Sequence, residues 1–554
     1  MKPQDIISSL LRERGISPEH QQAFLHPDFL NDQHDASKMR GMHQAVERLL
    51  KAQDERIVIF GDYDADGVPA TALLVRCLRT LGYKQLVPII PLRSEGYGLT
   101  SNSVEKILGE RPSLVITVDN GTVAREEVET LTRAGVAVIV IDHHEPQAGH
   151  VADAALAIIN PKQEQCPYPF KELCGCALAW KMLWQLAEAL KQSPDFLKWE
   201  LDLVALSTIA DLVPLVGENR LFAKYGLQVM GQTRNVGVQA LAQVAGVTLK
   251  GVSAGDVGFK LAPRINAPSR MHHELLPSGG HAPLNLFLAS SSEEAATIAQ
   301  FLNTANNDRQ ALVDAHLVEA HRQATEQLSA KVIVVFHETW STGVIGLVAS
   351  KLVETYKRPA VVLALEGGVV KGSVRSIGDV HAVKLVEAGE AFLERYGGHA
   401  KAAGLTFRTG AVAVGAVAGF RELVQLGAAD ASLEELALAG ERKPEAVISL
   451  ADVTVELGTA LQELEPFGIG FPQPVFNIPA KVDSMKEVGR DGSHLSCFLV
   501  DPEHPEVKKK AIGFGMSKGD VRDGAKVEVL GIVALETWQG VTSPTIQMKK
   551  MTTV

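Results

Sequence analysis

Three carboxylates alternate over five residues in Gly61-Asp62-Tyr63-Asp64-Ala65-Asp66-Gly67. Acids this close repel one another, and gathering them in a fold is costly unless a cation compensates. A calcium-binding EF-hand loop is one competing reading. It needs a preceding helix and a Glu six residues after the glycine, whereas here an apolar run precedes and Leu73 stands at that place. Further along come Asp119-Asn120-Gly121 and Asp142-His143-His144-Glu145, and Asp211 interrupts the apolar stretch ALSTIADLVPLV. Taken singly, each has an ordinary explanation: an Asp after a strand caps the next helix, and a His pair sits in solvent. An ionised Asp211 among Ala, Ile and Leu needs either a capping role or a positive partner. Together, oxygen and imidazole donors of this kind suit manganese or magnesium better than zinc.

The elements that position these residues are short apolar runs separated by helix-like stretches. RIVIF, QLVPIIPL, LVITV, VAVIVI and ALAIIN, between Arg56 and Asn160, predict a parallel sheet covered on both faces. In such sheets ligands bind beyond the carboxyl ends of the strands. The acidic loop follows the first run, Asp119 the third, and Asp142 with the two histidines the fourth. All three therefore belong to one sheet edge.

At 554 residues the chain is too long for one core, and 46% hydrophobic with 21% charged residues is ordinary for a globular protein. No run is long and apolar enough to span a bilayer and the first residues lack a signal-peptide core, so a cytoplasmic protein with no membrane partner is expected. Five cysteines exclude a disulfide scaffold. Cys166, Cys174 and Cys176 cluster without a CxxC pair or histidine to complete a zinc set, and read as buried thiols. A net charge of −11 argues against coating DNA by charge alone, but a metal-dependent nuclease remains compatible, because bound cations offset its acids.

Residues 176–230 read as helical. Ser292–Leu328 lacks Gly and Pro and predicts either one connecting helix of about 55 Å or two helices broken near Asn306–Asn307. KVIVVF, GVIGLVASKLVETY, PAVVLAL and KGSVRS then predict a second α/β domain. From Phe476 to Val554 short β-type runs (LSCFLV, KKAIGFG, KVEVLGIVAL, SPTIQMKKM) suggest a small barrel, with an OB-fold the leading candidate.

In this order the motifs Asp-x-Asp-x-Asp-Gly, Val-Asp-Asn-Gly, Asp-His-His and Ala-Asp resemble the DHH phosphoesterases, and Gly397-Gly-His-Ala-Lys-Ala-Ala-Gly404 resembles the glycine-rich signature of their DHHA1 domain. Pro91-Leu-Arg93-Ser-Glu-Gly-Tyr-Gly-Leu99, Pro214-Leu-Val-Gly-Glu-Asn-Arg220, Ala262-Pro-Arg-Ile-Asn-Ala267, Trp340-Ser-Thr-Gly-Val-Ile-Gly346, Gly372-Ser-Val-Arg-Ser376 and Pro466-Phe-Gly468 extend the likeness to the family's single-strand-specific DNA exonucleases. Departures are Pro69, Ser269 and Phe471, where the family often has Thr or Ser, Gly, and Asn.

The resemblance implies an α/β protein in five segments. They are an N-terminal helical segment (1–50), a parallel-sheet DHH catalytic domain (51–290), a connecting helix (291–329), an α/β DHHA1 domain (330–430), and an OB-fold β-barrel that binds DNA, with its lead-in (431–554). It implies two Mn2+ or Mg2+ ions, one held by Asp64 and Asp119 with Asp62 nearby, the other by Asp66, Asp119, His143 and Asp211. His144 would donate to the phosphate or to the leaving oxygen. Arg93, Arg264, Ser373, Arg375 and His399 would hold substrate phosphates, with the helix N-terminus at Gly343 a similar aid. The implied activity is 5′→3′ degradation of single-stranded DNA to mononucleotides in repair and recombination, with single-strand-binding protein and a RecQ-type helicase as partners. Rival readings are a phosphatase or cyclic-dinucleotide hydrolase of the same superfamily, which usually lacks the OB domain, and a replication scaffold, which need not retain every acid.

Overall fold

A computed structural model describes residues 2–408, 414–439, 442–489, 492–516, 519 and 521–554. The chain divides into two compact units, Met1–Pro91 with Glu95–Ala262 and Arg442–Val554, and Leu92–Ser94 with Pro263–Glu441.

In the first unit the five apolar runs form β1 (Arg56–Gly61), β2 (Gln85–Ile89), β3 (Leu114–Val118), β4 (Ala137–Ile141) and β5 (Ala157–Ile159). They pair in the order β2-β1-β3-β4-β5, all parallel. Strand order reverses between β1 and β3, which is where such sheets open a crevice for ligands. β3 is buried throughout and β1 from its second residue on, as expected of β-branched runs covered on both faces.

Helices α1 (Pro3–Glu13), α2 (Pro18–Leu25) and α3 (Met42–Leu50) precede the sheet; α4 (Gly67–Thr80), α5 (Ser101–Gly109) and α6 (Arg125–Arg133) alternate with it. Pro69 falls in the first turn of α4, where a missing N–H costs nothing. The stretch read as helical becomes α7 (Gly175–Ala189), α8 (Leu201–Ala210) and α9 (Gly217–Met230). α8 is almost wholly buried. All five cysteines are buried free thiols, with Cys174 Sγ against the Thr208 hydroxyl at 3.4 Å.

The same unit ends in a barrel. β12 (Phe476–Val488), β13 (His494–Val500), β14 (Lys508–Gly513), β15 (Lys526–Trp538) and β16 (Val541–Thr553) are joined in the order β12-β13-β14-β16-β15, with β11 (Ala446–Val447) added to β12. Antiparallel pairing of β12 with β15, from Phe476↔Gly531 to Lys481↔Lys526, closes it. Three of these strands have 13 residues, longer than the short runs expected. The barrel core also takes in Ile6, Ile7, Leu10 and Leu11 of α1, and Arg14 clamps Glu445 with a two-pronged ion pair at 2.7 and 2.8 Å. Arg220 of α9 gives its guanidinium hydrogens to the carbonyls of Leu464, Glu465 and Pro466, with the rings of Phe24 and Phe471 at 4.0 and 4.8 Å. The Phe at 471 is thus one wall of a cation–π joint between α2, α9 and the barrel's lead-in.

In the second unit a mixed sheet runs β6 (Ile333–His337), β7 (Ala360–Glu366), β8 (Val369–Arg375), β10 (Ala402–Phe407), β9 (Leu393–Gly398). Ser292–Thr325 is one continuous helix of 34 residues; there is no break at Asn306–Asn307. Asn306 is 1% exposed and accepts a hydrogen bond from Arg309, so the two asparagines sit within the helix without interrupting it.

Candidate metal centre

β1 delivers the acidic loop to the β1/β3 crevice. Asp64 Oδ1 accepts the backbone N–H of Asp66 (2.8 Å) and of Gly67 (3.0 Å), folding the loop into the start of α4. Gly67 is fixed by close approach: a Cβ there would lie 2.5 Å from the Asp62 nitrogen. Asp66 turns the other way and accepts the N–H of Gly175 (2.7 Å) and of Cys176 (2.9 Å) at the start of α7, where the helix dipole favours a carboxylate. A Cβ on Gly175 would meet the Asp119 side chain at 2.9 Å, so only glycine lets α7 come this near.

Asp119 ends β3 in the left-handed region, at φ 63°, and is 2% exposed. Strain of this kind gathers at functional sites. His143 Nε2 lies 3.1 Å from Asp119 Oδ1, 3.6 Å from Asp211 and 3.9 Å from Asp66. Asp211 is the C-terminal cap of α8, the end where the helix dipole disfavours a negative charge. Capping therefore does not account for it, and a cation held with Asp66 and His143 would.

Three sets of donor atoms lie mutually within 4.8 Å: Asp62, Asp64 and Asp119; Asp66, His143 and Asp211; and Asp119, His143 and His144. Burial and then the charge of Asp64 push the Asp66 carboxyl up to about 6. Burial, Asp66 and Asp64 push Asp119 well above the usual carboxylate range, and burial with the same two acids does so for Asp211. Burial lowers His143 to about 4, leaving a neutral ring able to act as a ligand. Carboxylates that repel one another in a dry site, beside a neutral imidazole, fit a hard divalent cation.

Asp142 was not among the site residues expected from the sequence, yet it organises the edge. Its Oδ1 accepts the N–H of His143 (2.8 Å), the N–H of His144 (3.1 Å) and the His144 Nδ1 hydrogen (2.7 Å), while Oδ2 accepts the Thr122 N–H (2.9 Å). Burial opposes that charge, but His144 outweighs it and holds the Asp142 carboxyl well below the ordinary range. On His144 burial is likewise overcome by Asp142, and the imidazole rises to about 9. Tyr97 places its hydroxyl 2.7 Å from His144 Nε2, and Asn160 Nδ2 donates to the His144 carbonyl. The signal for Asp142 was its place directly before the two histidines. Tyr97 lay inside the Pro91–Leu99 motif and Asn160 at the end of the fifth apolar run, but neither was singled out there as a site residue.

The other expected residues lie in the second unit. Ser373 and Arg375 share one face of β8, and Arg375 Nη1 donates to Ser373 Oγ at 3.0 Å. Among the described residues no carboxylate pairs with Arg375, and burial lowers its pKa. A Cβ on Gly346, at the start of the helix Ile345–Tyr356, would lie 3.0 Å from Arg375 Nη2 and 3.1 Å from Ser373 Oγ. Gly346 is therefore the glycine whose missing side chain leaves room beside Arg375 and Ser373. Gly343 instead abuts the Arg270 carbonyl, where a Cβ would sit at 2.0 Å. Arg264 Nε donates to Asn303 at 3.0 Å, the Arg93 backbone N–H donates to Glu274, and His399 is exposed between β9 and β10.

Three family domains match the chain: the DHH family N-terminal domain over residues 56–208, the DHHA1 domain over 329–425 and the RecJ OB domain over 445–550. The single-stranded-DNA-specific exonuclease RecJ of Bacillus subtilis (strain 168) is 34% identical, across 98% of this chain and 67% of its own. That of Escherichia coli (strain K12) is 34% identical, across 84% and 82%. The crystal structure of RecJ from Thermus thermophilus in complex with Mn2+ superposes with a TM-score of 0.81 at 30% identity, covering 98% of this chain and 75% of that one. The same protein in complex with Mg2+ gives 0.76 at 28%, covering 98% and 74%.

Proposed function

The chain belongs to the RecJ family of single-stranded-DNA-specific exonucleases, and from that premise we propose that it hydrolyses single-stranded DNA from the 5′ end, releasing mononucleotides with two Mn2+ or Mg2+ ions as cofactors. The observation that carries this reading is the convergence of Asp62, Asp64, Asp66, Asp119, His143 and Asp211 on one sheet edge. When bound, the two ions supply the Lewis acidity that polarises a phosphodiester and activates water near neutral pH.

Asp64 and Asp119, with Asp62 beside them, would hold one ion; Asp66, Asp119, His143 and Asp211 would hold the other. Asp66 is fixed by two α7 amides and Asp119 by its strained backbone, so the donors are placed before substrate arrives. Asp142 accepts from His144 Nδ1 and pushes the imidazole up to about 9 before any cation is bound, with Nε2 turned to the Tyr97 hydroxyl. His144 would donate from Nε2 to the departing 3′-oxygen. Ser373, Arg375, Arg264, Arg93 and His399 would bind phosphates, and the fork of Arg375 beside a helix N-terminus is the strongest of these supports.

The barrel would grip the strand. Phe498 is 42% exposed on β13, Lys508 lies 4.7 Å from its ring and pairs with Asp483, and Lys510 stands opposite Phe498 on β14 and pairs with Glu536, so an aromatic ring flanked by lysines that can exchange carboxylates for phosphates suits a stacked strand. Among the described residues, 535–538 of β15 and 541–544 of β16 pair only with each other beyond the barrel, and this ribbon carries the exposed Trp538 at its tip. We assign the segments 1–50, 51–290, 291–329, 330–430 and 431–554 the roles that the family match supports: N-terminal helices, catalysis, connection, phosphate binding and strand binding. Among the described residues no helix is long and apolar enough to cross a membrane. We place the enzyme in the cytoplasm, in DNA repair and recombination, beside single-strand-binding protein and a RecQ-type helicase.

The test is release of mononucleotides from 5′-labelled single-stranded DNA, with duplex as control. Mn2+-dependent release from the single strand alone is the expected outcome. Release of inorganic phosphate only, or equal attack on duplex, would overturn the reading.

A further inference from the structure

Two large apolar side chains stand in solvent, one directly after Asp211 and one on a turn packed against the helix that Asp211 ends. Leu212, the next residue, is 65% exposed and lies in the left-handed region at φ 60°. A leucine there bears both strain and exposure, and neither stabilises the fold. Phe259 is 85% exposed, more than any other phenylalanine among the exposed large hydrophobic side chains. It sits in a π-helical turn, Val257–Leu261, whose ends Val257 and Leu261 are fully buried. The sequence explains the turn: Pro263 lacks the N–H that an α-helix would aim at the Phe259 carbonyl. Such turns are frequent at functional sites.

This turn packs on α8. A Cβ on Gly258 would be 3.7 Å from Ile209 Cγ2, two residues before Asp211, and Phe259 follows Gly258 directly. Among the described residues the Phe259 ring makes no aromatic or cation–π contact. An anchored backbone presenting an unpartnered ring, on a turn packed against the helix that ends at Asp211, is poor design for stability and good design for a flat apolar ligand.

On the exonuclease reading above, we propose that Phe259, with Leu212 as its apolar neighbour, forms a ledge beside the metal-binding carboxylates on which one nucleobase of the single strand stacks. The acids and arginines handle phosphates and say nothing about bases. A single strand has bare base faces to offer, whereas in duplex both faces of each base are already stacked, so the ledge favours the single strand at the point of cleavage. Any base has such a face, so no sequence preference follows.

The experiment compares wild type with Phe259→Ala, Phe259→Leu and Phe259→Trp on a 5′-phosphorylated strand and on a series carrying one abasic residue at successive positions from that end. Loss of one stacked base corresponds to a drop in kcat/KM of about 5- to 150-fold for Phe259→Ala on the intact strand. Phe259→Leu should fall nearly as far, since it keeps bulk without the ring, and Phe259→Trp should retain activity. At one abasic position wild type should lose the same factor while Phe259→Ala loses nothing more. A loss that is the same on every substrate, or none at all, would overturn the proposal. A second readout does not depend on turnover: 2-aminopurine at that position should be quenched on binding to metal-free wild type and to Phe259→Trp, and stay bright with Phe259→Ala. Quenching by Phe259→Ala equal to wild type would equally sink the ledge. Failure of the exonuclease reading would appear separately, as wild type inert on the intact strand.

Discussion

Replacing Asp66 by Asn isolates the repulsion on which the metal centre rests. The carboxylate is 1% exposed, and burial with the charge of Asp64 raises it from 3.8 to about 6 despite two amide hydrogen bonds. The folded chain therefore binds this proton more tightly than the unfolded chain. Stability is present while Asp66 is protonated, falls as pH rises from about 4 to about 6, and stays reduced above. At about 1.36 kcal/mol per pH unit, the penalty is about 1 kcal/mol at pH 4.5 and about 3 kcal/mol at pH 8. Asn carries no charge. The stability of Asp66→Asn minus that of wild type should thus grow by about 2 kcal/mol between pH 4.5 and 8, whatever constant offset the altered amide contacts introduce. Urea denaturation of EDTA-treated protein at both pH values measures it. Adding Mn2+ at pH 8 should then nearly cancel the difference, because ligand at 100 times its Kd stabilises wild type by about 2.7 kcal/mol and the variant lacks a donor. A difference that is constant with pH, or that grows toward acid, would refute the reasoning.

Asp119→Ala should abolish turnover with DNA binding largely kept, measured by parallel cleavage and filter-binding assays. Asp142→Asn should bring the His144 imidazole down from about 9 toward or below its ordinary 6.5, read by NMR titration of metal-free protein. The stabilising contribution of protonated His144, present below about 6.5 and lost as pH rises through about 9, should vanish in that variant. Arg220→Ala strands three carbonyls and two aromatic faces at the barrel joint and should cost about 3–5 kcal/mol by denaturation. Phe498→Ala should weaken binding of a long single strand far more than hydrolysis of a short one; equal losses would argue against a separate grip.

Much of the first sheet was legible because β-branched runs buried on both faces leave little freedom of pairing. All five runs became strands, and the acids that follow them landed on one edge for that reason alone. The packing of Ile6, Ile7, Leu10 and Leu11 into the barrel was not legible, since nothing local in α1 names a partner more than 400 residues away. Removal of the barrel would strip α1 of its core, so point variants on the barrel face test its grip on the strand without unfolding α1. Asp142 was read as part of a histidine motif, and its four accepted hydrogen bonds depend on how the loop after β4 turns. Gly346 and Gly343 looked alike in sequence, and only the side chains and carbonyls around them separate an anion cradle from a packing constraint. Similarly, the left-handed backbone of Asp119 and Leu212 comes from loop geometry that aspartate tolerates and leucine does not favour.

The most direct test of the account is the anomalous diffraction of crystals soaked in Mn2+. Two peaks about 3.5–4 Å apart are predicted, one among Asp62, Asp64 and Asp119 and the other among Asp66, Asp119, His143 and Asp211. No peak at the β1/β3 edge, or manganese bound only elsewhere, would contradict it.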